Sequence, residues 1–257
     1  MIVDVNVDLS RWPFRRLPCD EASKLVARMK KCHVSQAWAG SFDGIFHRDV
    51  GGVNRRLSHD SRWAGEGMLL PFGTINPILP DWPEELRRCH EDYHMSGIRL
   101  HPNYHGYTLD DPVFAELLAM ATQRRLVVQL ALRMEDTRVQ HRLMQVADVD
   151  VKPLADVVAA CPKLRLVMLN SLRTLRADAI KKLIAAGNVY FEISMLEGVG
   201  GVAKMLDTLP LDRLLFGSHL PLFNLESAVL KLQESELSDK QLKAISGENA
   251  KRLLASR

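Results

Sequence analysis

Gly97-Ile-Arg-Leu-His-Pro-Asn103 is a short apolar run that closes on an ionisable residue and passes directly into loop chemistry. The same unit recurs along the chain, at Ile2–Val7, Gln36–Ser41, Leu70–Asn76, Leu126–Leu132, Leu164–Asn170, Val189–Met195 and Leu214–His219. Runs of this length and composition read as strands. Helical stretches lie between them, and strands alternating with helices form parallel sheets. Eight such units in 257 residues predict an α/β protein with one domain over residues 1–257, a single (β/α)8 TIM barrel. Barrels of this kind carry their chemistry at the C-terminal ends of the strands. The residues to read are therefore Asn6, Asp8, Asn76, His101, Arg133, Asn170, Glu192 and His219.

Charge narrows the partner class. Lys plus Arg is 34 and Asp plus Glu is 31, a net +3. That excess is too small to argue for nucleic acid or an anionic membrane, and the Trp and Tyr residues form no stacking platform on a basic face. No run reaches the ~20 apolar residues of a membrane span. The first residues enter a strand with no basic and then apolar leader, so a cytoplasmic protein with a small-molecule substrate is expected. A homo-oligomer stays open. Cys19, Cys32, Cys89 and Cys161 show no metal-binding spacing and read as packed thiols.

Local signals place the connections. The helix over Asp20–Cys32 opens on acidic residues and ends on Lys30 and Lys31, which suits its dipole. Asp81 can cap the helix that Pro83 opens. Phe42–Met68 reads as a long loop with a helical turn or two over Asn54–His59, and a loop of that length at the catalytic face is expected to cover a site.

Several pieces together resemble a family. Met1-Ile-Val-Asp-Val-Asn-Val-Asp8 is similar to the first strand of the amidohydrolase superfamily, in particular its amidohydrolase-related barrels. Gly97-Ile-Arg-Leu-His-Pro-Asn103 resembles that group's fourth strand. Leu214-Leu-Phe-Gly-Ser-His-Leu-Pro221 resembles its eighth, and Ser238–Leu254 its closing helix. The resemblance implies a metal-dependent hydrolase barrel, with two histidines on the first strand, histidines on the fifth and sixth, and an aspartate on the eighth. Those positions fall here on Asn6 and Asp8, on or beside Ala131, on Asn170, and on His219. Ala131 has no ligand atom, and an asparagine amide is a poor replacement for imidazole. No metal and no other cofactor is therefore expected. A single relocated divalent ion held by Asp8, His101 and His219 is the less favoured alternative.

What remains is a proton-transfer site. His219 is the candidate general base, with Asp8 from the neighbouring first strand to orient it, and His101 completes the catalytic set. Asn6, Arg133, Asn170, His105 and Glu192 are the expected substrate contacts, with Arg99 or Arg173 as a partner for Glu192. The expected activity is hydrolysis of a small, anionic carbonyl compound, a lactone or cyclic ester being favoured. The alternative is a barrel that has lost catalysis and binds a ligand or regulates a partner.

Overall fold

The computed structural model describes residues 1–255. Eight parallel strands form one sheet in sequence order: β1 (Ile2–Leu9), β2 (Val34–Ser41), β3 (Leu69–Thr74), β4 (Gly97–Leu100), β5 (Val127–Ala131), β6 (Arg165–Leu169), β7 (Asn188–Glu192) and β8 (Leu214–Leu215). The architecture is the single TIM barrel that the alternation of units implies. β8 is shorter than its apolar run because the chain leaves the ladder after Leu215 and turns at His219, whose φ is +60°. Individual hydrogen bonds complete the ring there. Val5 N–H donates to Phe216 O (3.0 Å), His219 N–H to Asn6 O (2.8 Å) and Asp8 N–H to Leu220 O (2.9 Å).

β1 breaks register between Asp4 and Val7. The Asp4 carboxylate repairs the break. Its Oδ1 accepts from Asn6 N–H and Ser218 N–H, both at 3.0 Å, and so ties β1 to the chain beyond β8. Buried backbone amides need such an acceptor wherever the ladder cannot supply one.

The lower interior is apolar. Trp38 and Phe72 stack at 4.9 Å and pack with Val5, Val127, Val167 and Leu215. The same cluster continues upward into loop residues. Trp12 meets Phe14, Phe42 and Phe46 edge-on at 5.1–5.6 Å, and Phe46 meets Tyr104 at 5.8 Å. Loops after β1, β2 and β4 thus cap the mouth with one aromatic group.

The segment after β2 departs from expectation. It holds a 14-residue helix, Val50–Trp63, where the sequence suggested a turn or two. Gly51 and Gly52 weaken its intrinsic propensity. A local cap and a tertiary contact outweigh that. Asp49 caps the helix by accepting from Gly52 N–H (2.8 Å), and Asn54 bonds both the N–H and the carbonyl of Thr74 (2.8 and 2.9 Å). Asp81 takes the N-cap position of the helix Trp82–Glu91 but makes no side-chain capping bond. All four cysteines are free. Among the described residues no helix is long and apolar enough to cross a membrane.

Candidate active site

Strand parity aims Arg99 and His101 of the β4 segment at the barrel axis. Arg99 is 1% exposed, and its guanidinium has four acceptors. Nη1 donates to Asp8 Oδ1 (2.6 Å) and Val7 O (3.0 Å), Nη2 to Trp38 O (3.1 Å), and Nε to Gln129 Oε1 (2.8 Å). Gln129 is held in turn, since its amide donates to Val5 O (2.6 Å). Arg99 or Arg173 was expected to serve Glu192, and Arg173 pairs with Asp136 and Glu197. Arg99 serves Asp8 instead, because the two side chains meet across β1 and β4.

Gly40 makes room for this cation. A Cβ at position 40 would lie 2.6 Å from Arg99 Nη1 and 2.8 Å from its Cδ and Cζ. Overpacking of a filled core costs roughly 1–3 kcal/mol. Gly40→Ala is therefore expected to lower the unfolding free energy by that amount and the urea midpoint with it. An unchanged midpoint would mean that the guanidinium has slack and is not fixed as described.

His219 lies across from Asp8, with Nδ1 3.9 Å from Asp8 Oδ2. Its Nε2 is 2.8 Å from the carbonyl of Met134, so Nε2 carries the hydrogen. This corrects the triad picture. The Met134 carbonyl fixes the tautomer, and Asp8 faces the opposite nitrogen, whose lone pair is free. Burial pushes His219 below its ordinary value, while Asp8, the Met134 carbonyl and Glu192 pull the other way and Arg99 lowers it further.

His101 is fully buried and neither ring nitrogen has a partner among the described residues. A neutral imidazole carries one N–H and one lone pair, so both are available there. Burial holds His101 well below its ordinary value, and charge on His105, Arg99 or His219 would lower it further. His105 stands 6.0 Å from it, ring to ring, with Nε2 on Gly44 O (3.0 Å), and burial lowers it as well.

The remaining candidates form a separate framework. Glu192 Oε1 accepts from Asn170 N–H (2.7 Å), Ser194 Oγ (2.7 Å) and Asn6 Nδ2 (3.2 Å). Asn170 Oδ1 accepts from Asn6 Nδ2 (2.8 Å) and Ser194 Oγ (3.1 Å), and its own amide donates to Arg133 O (2.7 Å). Asn170 sits at φ +57°, a conformation asparagine tolerates. The Arg133 guanidinium grips Asp148 through two bonds, with Nε–Oδ1 at 2.9 Å. The side chains of Arg133 and Asn170 are thus engaged within the protein. Asp8 and His219 form one buried pair at 3.9 Å, and His101 and His105 stand as another, 6.0 Å ring to ring. Arg99, Gln129 and Ser194 were not singled out as site residues, although Arg99 and Ser194 lie two residues from His101 and Glu192, on matching faces.

The sequence profile of the amidohydrolase family matches residues 19–255. The chain belongs to the amidohydrolase family. No protein of curated function matches its sequence. Many solved structures share its fold, and these include three that match it across nearly the whole length. The 5-carboxyvanillate decarboxylase of Sphingomonas paucimobilis is 13% identical, with a TM-score of 0.76 over 99% of this chain and 98% of its own. An uncharacterised TIM-barrel protein of Bordetella bronchiseptica is 16% identical, at 0.75 over 99% and 98%. A dihydroxybenzoic acid decarboxylase of Polaromonas sp. JS666, solved with manganese and 2-nitroresorcinol, is 13% identical, at 0.70 over 100% and 97%.

This amidohydrolase does not present donors that fit the divalent ion its family resemblance implies. Asn6 turns its amide nitrogen toward Asn170 and Glu192, and Ala131 offers nothing. Asp8 is already bound to a guanidinium, a fixed positive charge that opposes a second cation. Among the described residues no three His, Cys, Asp or Glu side chains converge on one point. Buried atoms without a partner among the described residues include Asn6 Oδ1, Asp8 Oδ2, His219 Nδ1, His105 Nδ1 and both ring nitrogens of His101. They mark the part of the mouth that is built to meet something polar.

Proposed function

We propose that this amidohydrolase hydrolyses a small anionic ester, a lactone being the favoured class, without a metal, and that His219 is its general base. The observation that carries this reading is the free Nδ1 lone pair of His219, locked in place by the Met134 carbonyl and facing an Asp8 that Arg99 holds still. A water proton passes to Nδ1 as the water oxygen bonds to the substrate carbonyl carbon. The imidazolium so formed lies 3.9 Å from the Asp8 carboxylate, which stabilises it. The carbonyl oxygen becomes an oxyanion, and the unpartnered N–H of His101 is the donor available to it. Collapse breaks the ester C–O bond, and Nδ1 returns its proton to the leaving alkoxide. An ester suits such a site because its carbonyl needs less electrophilic help than an amide. The wall over the site must part to admit substrate, since Asp8, His101 and His219 are at most 1% exposed.

The test is a lactone and ester panel on the parent, His219→Asn and Asp8→Asn. Asparagine tolerates the positive φ at 219, so the fold is expected to persist. The rate is expected to fall about 100-fold or more, the range of general-base help. In the parent, the acid limb of the rate profile is expected below the ordinary imidazole value of ~6.5, because burial lowers His219. Asp8 raises His219, so Asp8→Asn is expected to move that limb to still lower pH. Near-full turnover by His219→Asn would sink the assignment. A parent inert on every member of the panel would favour a binding protein.

A further inference from the structure

A cavity of about 400 Å³ opens at the C-terminal face between the loops that follow β5 to β8. It lies beside the axial site and touches it twice. Ser194 lines the cavity and donates its hydroxyl to Glu192 and Asn170. Phe223 lines it too, and its ring stands edge-on against His219, 5.2 Å between centroids.

The lining is amphipathic. Met195, Leu196, Val199 and Phe223 give it an apolar side, and Val199 and Phe223 are exposed at 77% and 38%. Arg133, Arg173 and Lys231 give it cations, and Asp136, Glu197 and Glu234 give it an equal number of carboxylates. Two of the cations are neutralised. Arg133 is bound to Asp148, and Arg173 pairs with Asp136 and Glu197 at 3.0 Å. Lys231 differs. Its ammonium donates to the main-chain carbonyls of Ile193 (3.1 Å) and Ser194, and no carboxylate among the described residues lies within 4.0 Å of it. A partly buried cation held on neutral carbonyls, beside an apolar wall, is a receptor for an anion with an apolar body.

We propose that this cavity binds the carboxylate end of a small acid with an apolar body, that Lys231 is its charge partner, and that Phe223 is the wall through which the bound molecule reaches His219. The inference rests on the hydrolase reading for the chemistry at His219, but the binding step stands apart from it. Burial lowers the Lys231 ammonium from its ordinary value even against the pull of Glu192, Glu197 and Glu234, and an anion seated directly on it adds to that pull.

Binding, not turnover, tests it. Hexanoate and neutral hexanamide are titrated calorimetrically into the parent, Lys231→Met, Lys231→Arg and His219→Asn, with the Met195 methyl resonance followed by NMR. Hexanoate is expected to bind the parent more tightly than hexanamide and to shift the Met195 signal. Lys231→Met is expected to weaken hexanoate by roughly tenfold or more, the worth of one charge-assisted hydrogen bond, and to leave hexanamide unchanged. Lys231→Arg is expected to keep the preference for the acid. His219→Asn is expected to bind hexanoate like the parent even if it hydrolyses nothing, which separates this proposal from the catalytic one. Equal affinity for acid and amide in the parent, or hexanoate binding that survives Lys231→Met, would overturn it. So would binding that leaves the Met195 methyl unmoved.

Discussion

Arg99→Met is expected to lower the unfolding free energy by roughly 3–5 kcal/mol, the cost of removing one partner from a buried ion pair. Both side chains of the pair are 1% exposed. Methionine fills much of the space but donates nothing. Asp8 Oδ1 loses its 2.6 Å donor, and the carbonyls of Val7 and Trp38 and the Gln129 amide oxygen lose theirs. The uncompensated carboxylate dominates, so most of the loss is expected to return when its charge is also removed. In the Arg99→Met background, Asp8→Asn is expected to stabilise, whereas in the parent the same change is expected to destabilise. That reversal of sign is the particular mark of a buried pair, and urea unfolding of the four proteins measures it. A loss under about 1 kcal/mol for Arg99→Met, or additive single changes, would show that the guanidinium is incidental to the fold.

Arg99 also marks what the sequence conceals. The eight strands were legible because each is an apolar run ended by a polar residue, and that period survives in a single chain. The approach of Asp8 to His219 was legible too, since the first and last strands of a closed barrel are neighbours. The choice of partner was not. Asp8 and Arg99 are 91 residues apart, and nothing local tells Asp8 from Glu192 as the anion that Arg99 will meet. Parity gave half the answer, placing Arg99 on the His101 face. The other half was Gly40, whose missing side chain is the space the guanidinium fills. The His219 tautomer depends on a main-chain carbonyl, at Met134, which no side-chain pattern encodes. The aromatic cap is assembled from separate loops whose residues read singly as ordinary core. The Val50–Trp63 helix was hidden by its two glycines and is secured by Asn54 reaching Thr74, a contact between elements.

Asp4 is expected to make the barrel's stability fall as pH rises from about 4 to about 7. Its carboxyl is fully buried, and burial lifts it from 3.8 to about 7 against the Ser218 hydroxyl and the N–H donors of Asn6 and Ser218, with Glu192 adding to the rise. In the unfolded chain an aspartate titrates near ~3.9. Below that pH both states hold the proton, and the stabilising contribution is complete. Between the two values the unfolded chain has released its proton and the folded one has not, so each pH unit costs the fold about 1.4 kcal/mol. Above about 7 both states are ionised and the loss stops, at roughly 4 kcal/mol in all. The buried imidazoles of His101, His105 and His219 act in the opposite sense, because their depressed values favour the fold as the unfolded histidines lose protons. The parent profile alone mixes the two. Asp4→Asn separates them. Asparagine keeps the Oδ1 acceptor for both amides and cannot ionise, and any cost of burying its amide nitrogen is the same at every pH. Urea unfolding of parent and variant from pH 4 to 8 is therefore expected to show the variant gaining on the parent by roughly 4 kcal/mol across the range. A difference that stays flat to within about 1 kcal/mol would mean that Asp4 keeps an ordinary carboxylate in the folded barrel, and that the repaired break in β1 is held by an ionised side chain throughout.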